Sequence, residues 1–401
     1  MPRQCARWIF DGYKFSRDVA INWDAGRIQQ LSPIESTATL PNLLLIPGLI
    51  NLHAHLELTA LDGKLPRQVA FPEWVQALRQ ETTGWNEDAF ERSYAQGIRQ
   101  SLAAGTTTVL DVGNSSAGWH SIGQQPLRLL AMRELLSLQE SVAMARLQQA
   151  EQQLVAMPVV PSDVGLRGFS PHAPYSCHPK LLSTLAADHG CVLPLTIHLS
   201  ESVGEQQLYT QATGSFRNWL DGIAPGHPFG SPMVSGLAWL EAHGISARSI
   251  FVHGNLLTDQ ELAQLQSAGG WLVHCPQSAR WFGHPLLDVP ACVAKGISVC
   301  LGTDSLASAE SLSLWEQMAL LHQTWPQMSV EAVLAMVTRN PGSALQAWQH
   351  CGVLEPGALA DWVMIEVPEG FDGEDWSWLF AGTPRIHGVV IAGEQRNIHE
   401  E

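Results

Sequence analysis

Short runs of apolar and β-branched residues recur along the chain. They predict eight strands, at Leu45–His53, Thr107–Val112, Leu127–Ala131, Gly165–Ser170, Leu193–His198, Ser249–His253, Trp271–Cys275 and Ile297–Gly302. Between several of them the apolar positions fall three and four residues apart. Examples are NEDAFERSYAQGIRQSLAAG (86–105) and DQELAQLQSAGG (259–270), each closing on the glycine that ends helices. Parallel strands buried on both faces read as continuous apolar runs, as these do. Eight strands alternating with helices over about 260 residues predict an α/β protein with a (β/α)8 TIM barrel.

The two ends break this rhythm. Residues 6–35 alternate like short strands with turns, and so do ADWVMIEV (360–367) and IHGVVIAGE (386–394). The expected arrangement is a small β-sandwich domain made from residues 1–46 and 351–401. The barrel, residues 47–350, is inserted between them.

Composition narrows the function classes. With 401 residues, 45% hydrophobic and 15% charged, the chain reads as an ordinary globular protein with a large core. A net charge of -16 leaves nothing to neutralise a phosphate backbone, so nucleic acid is not an expected partner. No apolar run approaches the roughly 20 residues that span a bilayer, and the start MPRQCARWIFDGYKF carries no leader-like apolar stretch. Seven cysteines without a C-x-x-C pair predict free thiols and a cytoplasmic protein. Cys177, Cys275 and Cys300 read as core residues. Fifteen tryptophans leave a homo-oligomer open, since aromatic side chains favour interfaces as well as cores.

Chemistry gathers where the predicted strands end, which in such barrels is where active sites are built. The first strand ends in His53 and His55, two residues apart and so on one face. The fourth runs into SPHAPYSC with His172, and the fifth into TIHLSES with His198 and Glu201. The sixth ends in FVHGN with His253, the seventh in LVHCPQS with His274, and the eighth in LGTDSLAS with Asp304. A lone histidine at a strand end is more often structural than a ligand, and His274 is expected to brace the barrel. Their coincidence supplies the nitrogen and oxygen donors that suit a divalent metal ion.

These segments, PGLINLHAHLE, SPHAPYSC, TIHLSES, FVHGN, HCPQS and LGTDSLAS, together resemble the metal-dependent amidohydrolase superfamily. Within it the chain looks like the branch of S-adenosylhomocysteine, methylthioadenosine and related nucleoside deaminases. The likeness runs from about Pro47 to Asp304 and extends to the closing segment VTRNPGSALQ…GVLEPGALADWVMIE. It implies metal ligation by His53, His55, His198 and Asp304, with zinc the expected ion and iron the alternative. It implies that Glu201 shuttles protons, that His253 orients the attacking water, that Asp304 accepts a proton and that His172 contacts substrate. Two-metal relatives bridge their ions with a carboxylated lysine at a strand end. The lysines here, Lys14, Lys64, Lys180 and Lys295, do not fall at one, so a single ion is expected.

The implied reaction is hydrolytic release of ammonia from an amino-substituted purine nucleoside. The segments HLEL, FPEW, WFGHP and GTDSLAS are more similar to aminodeoxyfutalosine deaminases than to adenosylhomocysteine deaminases. No residue matches the branch's ribose-binding glutamate; Glu57, Glu73 and Glu81 are candidates only by position. Ala279 stands where many relatives have asparagine. Arg280, Trp281 and Phe282 are expected to meet the carboxylate and ring of such a substrate, or else to form an exposed loop packing on its neighbours. Deaminases or chlorohydrolases of guanine, cytosine or triazine would use the same metal site. A metal-binding protein without activity is the remote alternative, set against a ligand and acid set that is complete.

Overall fold

The computed structural model describes residues 1–34, 40–188, 195–346 and 348–398. The chain opens with β1 (Arg3–Phe10), β2 (Phe15–Asp24), β3 (Arg27–Pro33) and β4 (Leu43–Pro47). Eight strands follow: β5 (Leu49–Ala54), β6 (Thr106–Gly113), β7 (Arg128–Leu135), β8 (Gly165–Pro171), β9 (Thr196–Leu199), β10 (Ile250–His253), β11 (Trp271–His274) and β12 (Ser298–Leu301). It closes with β13 (Trp362–Glu366), β14 (Ile386–Ile391) and β15 (Glu394–Arg396).

β5 to β8 form one four-stranded sheet and β9 to β12 a second, every neighbour parallel. Every residue of β5 and β6 is buried, the polar Asn51, His53, Thr106, Thr107, Thr108 and Asp111 along with the apolar ones, as in parallel strands covered on both faces. The sheets meet at their edges. Ala54 bridges Asp304 in parallel register, and the His198 N–H donates to the His172 carbonyl at 2.9 Å.

Helices between the strands follow the local sequence. In the helix Glu87–Ala103, Asn86 accepts from the Ala89 N–H at 3.0 Å, and Glu87 and Asp88 sit in the first turn, where the helix dipole favours negative charge. Gly97 lets this helix pack close: a Cβ there would lie 2.4 Å from the Thr59 hydroxyl. The helix Asp259–Ala268 starts with a Thr258–Glu261 capping box and stops at Gly269, whose φ of 70° suits glycine.

Two expectations change. The apolar run Leu45–His53 is two strands in different sheets, β4 and β5. They part at Gly48, whose N–H donates to the Asp361 carbonyl at 3.0 Å and where a Cβ would meet Thr107 at 2.2 Å. The terminal strands, expected as a sandwich, form one mixed sheet in the order β15-β14-β13-β4-β1-β2-β3. That sheet curls: Trp23 of β2 and Trp362 of β13 are three strands apart in order, yet their ring centroids lie 4.9 Å apart. One face buries Ile9, Ile21, Leu45 and Trp362 against each other, and the alternate residues Leu44, Ile46 and Val363 join the main core. Arg128 of β7 reaches Asp361 beside β13 with two hydrogen bonds, at 2.8 and 3.0 Å, tying this sheet to the eight-stranded body. The expected start of the fifth strand at Leu193, like residue 35 of the first alternating segment, lies outside the described residues.

Candidate active site

The histidines and carboxylates at the strand ends come together. His53, on β5, is wholly buried, and neither of its ring nitrogens has a hydrogen-bond partner. His55 follows the strand, its Nε2 3.4 Å from His198 Nε2. Asp304 places Oδ1 3.6 Å from His55 Nε2 and 3.9 Å from His53 Nε2. His198 gives its Nδ1 to the His172 carbonyl at 2.7 Å, leaving Nε2 for the centre.

Electrostatics suit this donor set to a cation. Burial, aided by the neighbouring imidazoles, lowers His53 well below the usual range, and burial with His172 beside it brings His198 to about 3. Burial would raise Asp304, but His55, His253 and the Ser278 hydroxyl, which donates to Oδ2 at 2.6 Å, hold it below its ordinary value. Burial works against protonated His55, yet Asp304 and Glu134 outweigh it and raise its pKa. The orphaned nitrogens of His53, the lowered pKa of His53 and His198 and the ionised Asp304 fit a divalent ion, which would stand in for the proton that Asp304 favours on His55. All four lysines are exposed, and none lies among these groups.

Glu201 sits beside this centre, its Oε1 3.8 Å from His253 Nε2. Burial, with the charge of Asp304 adding to it, pushes Glu201 up to about 8. Its place is set by a left-handed turn: Ser200 has φ 51°, and Glu205 accepts from the Ser200 and Glu201 N–H groups at 3.0 and 2.8 Å. His253 and Asp304 also take positive φ, 73° and 59°. Burial lowers His253 against the pull of Asp304, and burial takes His274 to about 3. His274 is fully buried, with neither ring nitrogen bonded.

Above these groups opens a cavity of ≈ 370 Å³ that includes His55, His172, His198, Glu201, His253 and Asp304 in its lining. One wall is apolar, with Phe71, Trp74, Leu78, Tyr175, Trp219 and Phe282. The other carries Asn114 and Glu134, and the exposed Arg79 and Arg146 stand at the rim. Arg280 and Trp281 do not reach it. On the short helix Pro276–Phe282, Ser278 reaches Asp304 and Phe282 lines the cavity; Trp281 donates to the Pro66 carbonyl at 3.2 Å and lies under Arg67, and Arg280 and Trp281 line a separate cleft.

Sequence reasoning missed Glu134, Asn114, Arg79 and Arg146. The third strand was expected to end at Ala131 but continues to Leu135, so Glu134 stands at a strand end after all. Of the three glutamates considered for a sugar, Glu57 spends its carboxylate on the Asn114 and Ser115 N–H groups at 2.7 and 2.8 Å and on the Ser115 hydroxyl. Glu73 and Glu81 are exposed and do not line the cavity.

Residues 44–396 match the model of the amidohydrolase family. The chain is 28% identical over 356 residues to the 5-methylthioadenosine/S-adenosylhomocysteine deaminase of Thermococcus sibiricus, covering 80% of this chain and 73% of that one. Its fold superposes on Helicobacter pylori aminofutalosine deaminase in complex with methylthio-coformycin with a TM-score of 0.85, at 20% identity, over 99% of this chain and 100% of that one. An adenosine deaminase from Xanthomonas campestris with bound zinc gives 0.81 at 20% identity, over 98% and 92%.

Proposed function

The chain belongs to the amidohydrolase family, and from that premise we propose that it is a metal-dependent deaminase releasing ammonia from the 6-amino group of an adenine nucleoside. The observation that carries this reading is the meeting of His53, His55, His198 and Asp304 beside a protonatable Glu201, at the floor of one cavity. In the same reading the two parallel sheets are halves of one (β/α)8 barrel. The Ala54–Asp304 bridge and the His198–His172 hydrogen bond at the two seams support that closure. The curled terminal sheet is then a small domain built from residues 1–46 and 351–401.

His53, His55, His198 and Asp304 would hold one divalent ion, with zinc the first choice for three imidazoles and a carboxylate. When bound, such an ion would supply a nucleophile at neutral pH by lowering the pKa of a water to about 7. Asp304, kept ionised by its neighbours, accepts the proton that the attacking water gives up. Glu201, protonated near neutrality, donates to the ring nitrogen next to the attacked carbon. His253, beside Glu201, orients the water and helps return a proton to the departing amine. His172 meets the substrate from the cavity wall.

The cavity favours one kind of nucleoside. Its volume of ≈ 370 Å³ lies within the roughly 300–1,000 Å³ of small-ligand sites. The aromatic wall of Phe71, Trp74 and Trp219 suits a flat apolar 5′ arm, and Arg79 and Arg146 at the rim suit an anion at its end. An adenine nucleoside with an aryl carboxylate on that arm, such as aminodeoxyfutalosine, matches both features, and adenosylhomocysteine and methylthioadenosine match in part.

The test is ammonia release by zinc-loaded protein at equal low concentrations of those three nucleosides, adenosine and guanine. At least one adenine nucleoside should exceed about 10⁴ M⁻¹s⁻¹ in kcat/KM. Chelation should abolish the rate and added metal restore it. Silence across the panel from protein carrying one metal per chain would refute the reading.

A further inference from the structure

Four carboxylates line the cavity, and three are already engaged. Glu57 is taken by the Asn114 and Ser115 backbone. Asp304 faces His55 and accepts from Ser278. Glu201 faces His253. Glu134 remains. It is 6% exposed, its Oε2 accepts from Asn114 Nδ2 at 2.6 Å, and its Oε1 is buried with no hydrogen-bond partner. A carboxylate has only acceptor sites, so an unpaired buried oxygen is costly until a donor arrives.

The neighbouring protein groups do not bring that donor. A carboxylate oxygen of Glu134 and ring nitrogens of His172 and His198 lie within 4.8 Å of one another. His198 Nδ1 is spent on the His172 carbonyl. His172 Nδ1 is paired with the Ser176 hydroxyl at 2.6 Å. Neither imidazole makes a hydrogen bond to Glu134 Oε1. A ligand with a donor aimed at Oε1 would satisfy it.

An adenine nucleoside has donors at its exocyclic amine and at its sugar hydroxyls. The amine belongs at the carbon attacked beside His55 and Asp304, which leaves the sugar. We infer that Glu134 Oε1 is the acceptor for a ribose hydroxyl, held in line by Asn114, and that it makes the site selective for ribonucleosides over their deoxy analogues. This inference rests on the nucleoside reading above. It assigns to the end of β7 a contact that no glutamate following β5 is free to make.

The experiment compares kcat/KM for a ribonucleoside substrate and its 2′- and 3′-deoxy analogues in wild-type protein and in Glu134→Gln. Glutamine keeps an oxygen for Asn114 and turns an NH2 toward the sugar. Wild type should prefer the ribonucleoside by about 10- to 100-fold over at least one analogue, the range for a hydrogen bond to a charged group. E134Q, with unchanged metal content, should lose most of that preference. Preference retained in E134Q, or absent in wild type, overturns the assignment and leaves the deaminase reading intact. Wild type inert toward every nucleoside overturns both. A crystal structure of wild type with a tight-binding nucleoside analogue decides the matter without a variant: a sugar oxygen within about 3 Å of Oε1 supports the inference, and a sugar turned elsewhere sinks it.

Discussion

Replacing Glu205 by alanine tests how Glu201 is held. Glu205 is 1% exposed, three residues past Ser202, the N-cap of the helix Val203–Gln211. Its carboxylate reaches back to the Ser200 and Glu201 N–H groups, both on buried residues. Alanine would orphan two buried donors, at about 1–3 kcal/mol each, or roughly 2–6 kcal/mol for the turn. Ser200 already bears about 1–2 kcal/mol for its left-handed backbone. Without its clamp the turn should relax and carry Glu201 with it. A displacement near 1 Å costs on the order of 100-fold in rate. The expected result is kcat down about 100-fold, with metal content unchanged and KM moved by less than about threefold. Glu205→Gln, which keeps one acceptor, should recover part of the loss. A folded, metal-loaded E205A with kcat within about threefold of wild type would refute the reasoning.

Two further outcomes concern stability. Asp361→Ala leaves Arg128, 4% exposed, without the carboxylate that meets it at 2.8 Å, and also orphans the Ala392 N–H that bonds Oδ1. Urea unfolding should show a loss of about 3–5 kcal/mol, and a change below about 1 would mean that water replaces the pair. Burial, with Glu57 adding, pushes Asp111 from 3.8 up to about 7 despite the Leu56 N–H at 2.7 Å. A carboxyl raised in the folded state adds stability that is complete below its unfolded value and is lost as pH rises through its folded value. In metal-stripped protein, wild type should therefore lose roughly 3 kcal/mol relative to Asp111→Asn between pH 5 and 8. Parallel pH curves for the two proteins would contradict this.

The strands and the histidines and Asp304 of the candidate site were legible because each rests on a local rule. Period-two alternation puts His53 and His55 on one side, and continuous apolar runs mark buried parallel strands. What was missed depends on packing at a distance. Nothing local says that Leu45 and Leu49 belong to different sheets; that follows from Gly48 sitting against Thr107, nearly sixty residues away. Glu134 was hidden because β7 runs on through Arg133 and Glu134, charged residues that look like a strand's end rather than its interior. Arg280 was placed by chemistry alone, and the direction of a short helix decided against it.

The left-handed residues explain why the site needs so much support. Ser200, His253 and Asp304 each follow or finish a strand and take φ between 51° and 73°, a conformation non-glycine residues enter at about 1–2 kcal/mol. The sharp bend turns each chain off its strand axis, and the side chains of these turns gather over the strand ends. Each bend is countered by a separate bond. Glu205 clamps Ser200, the Asp304 N–H donates to the His53 carbonyl at 3.2 Å, and the Gly254 N–H next to His253 donates to the Leu199 carbonyl at 3.0 Å. Leu199, which takes the Gly254 N–H, sits directly before Ser200, so straightening the bend at Ser200 strains the one at His253. Loosening the Glu205 clamp should therefore be felt at His253 as well as at Ser200, which makes E205A more damaging to turnover than its distance from the substrate suggests.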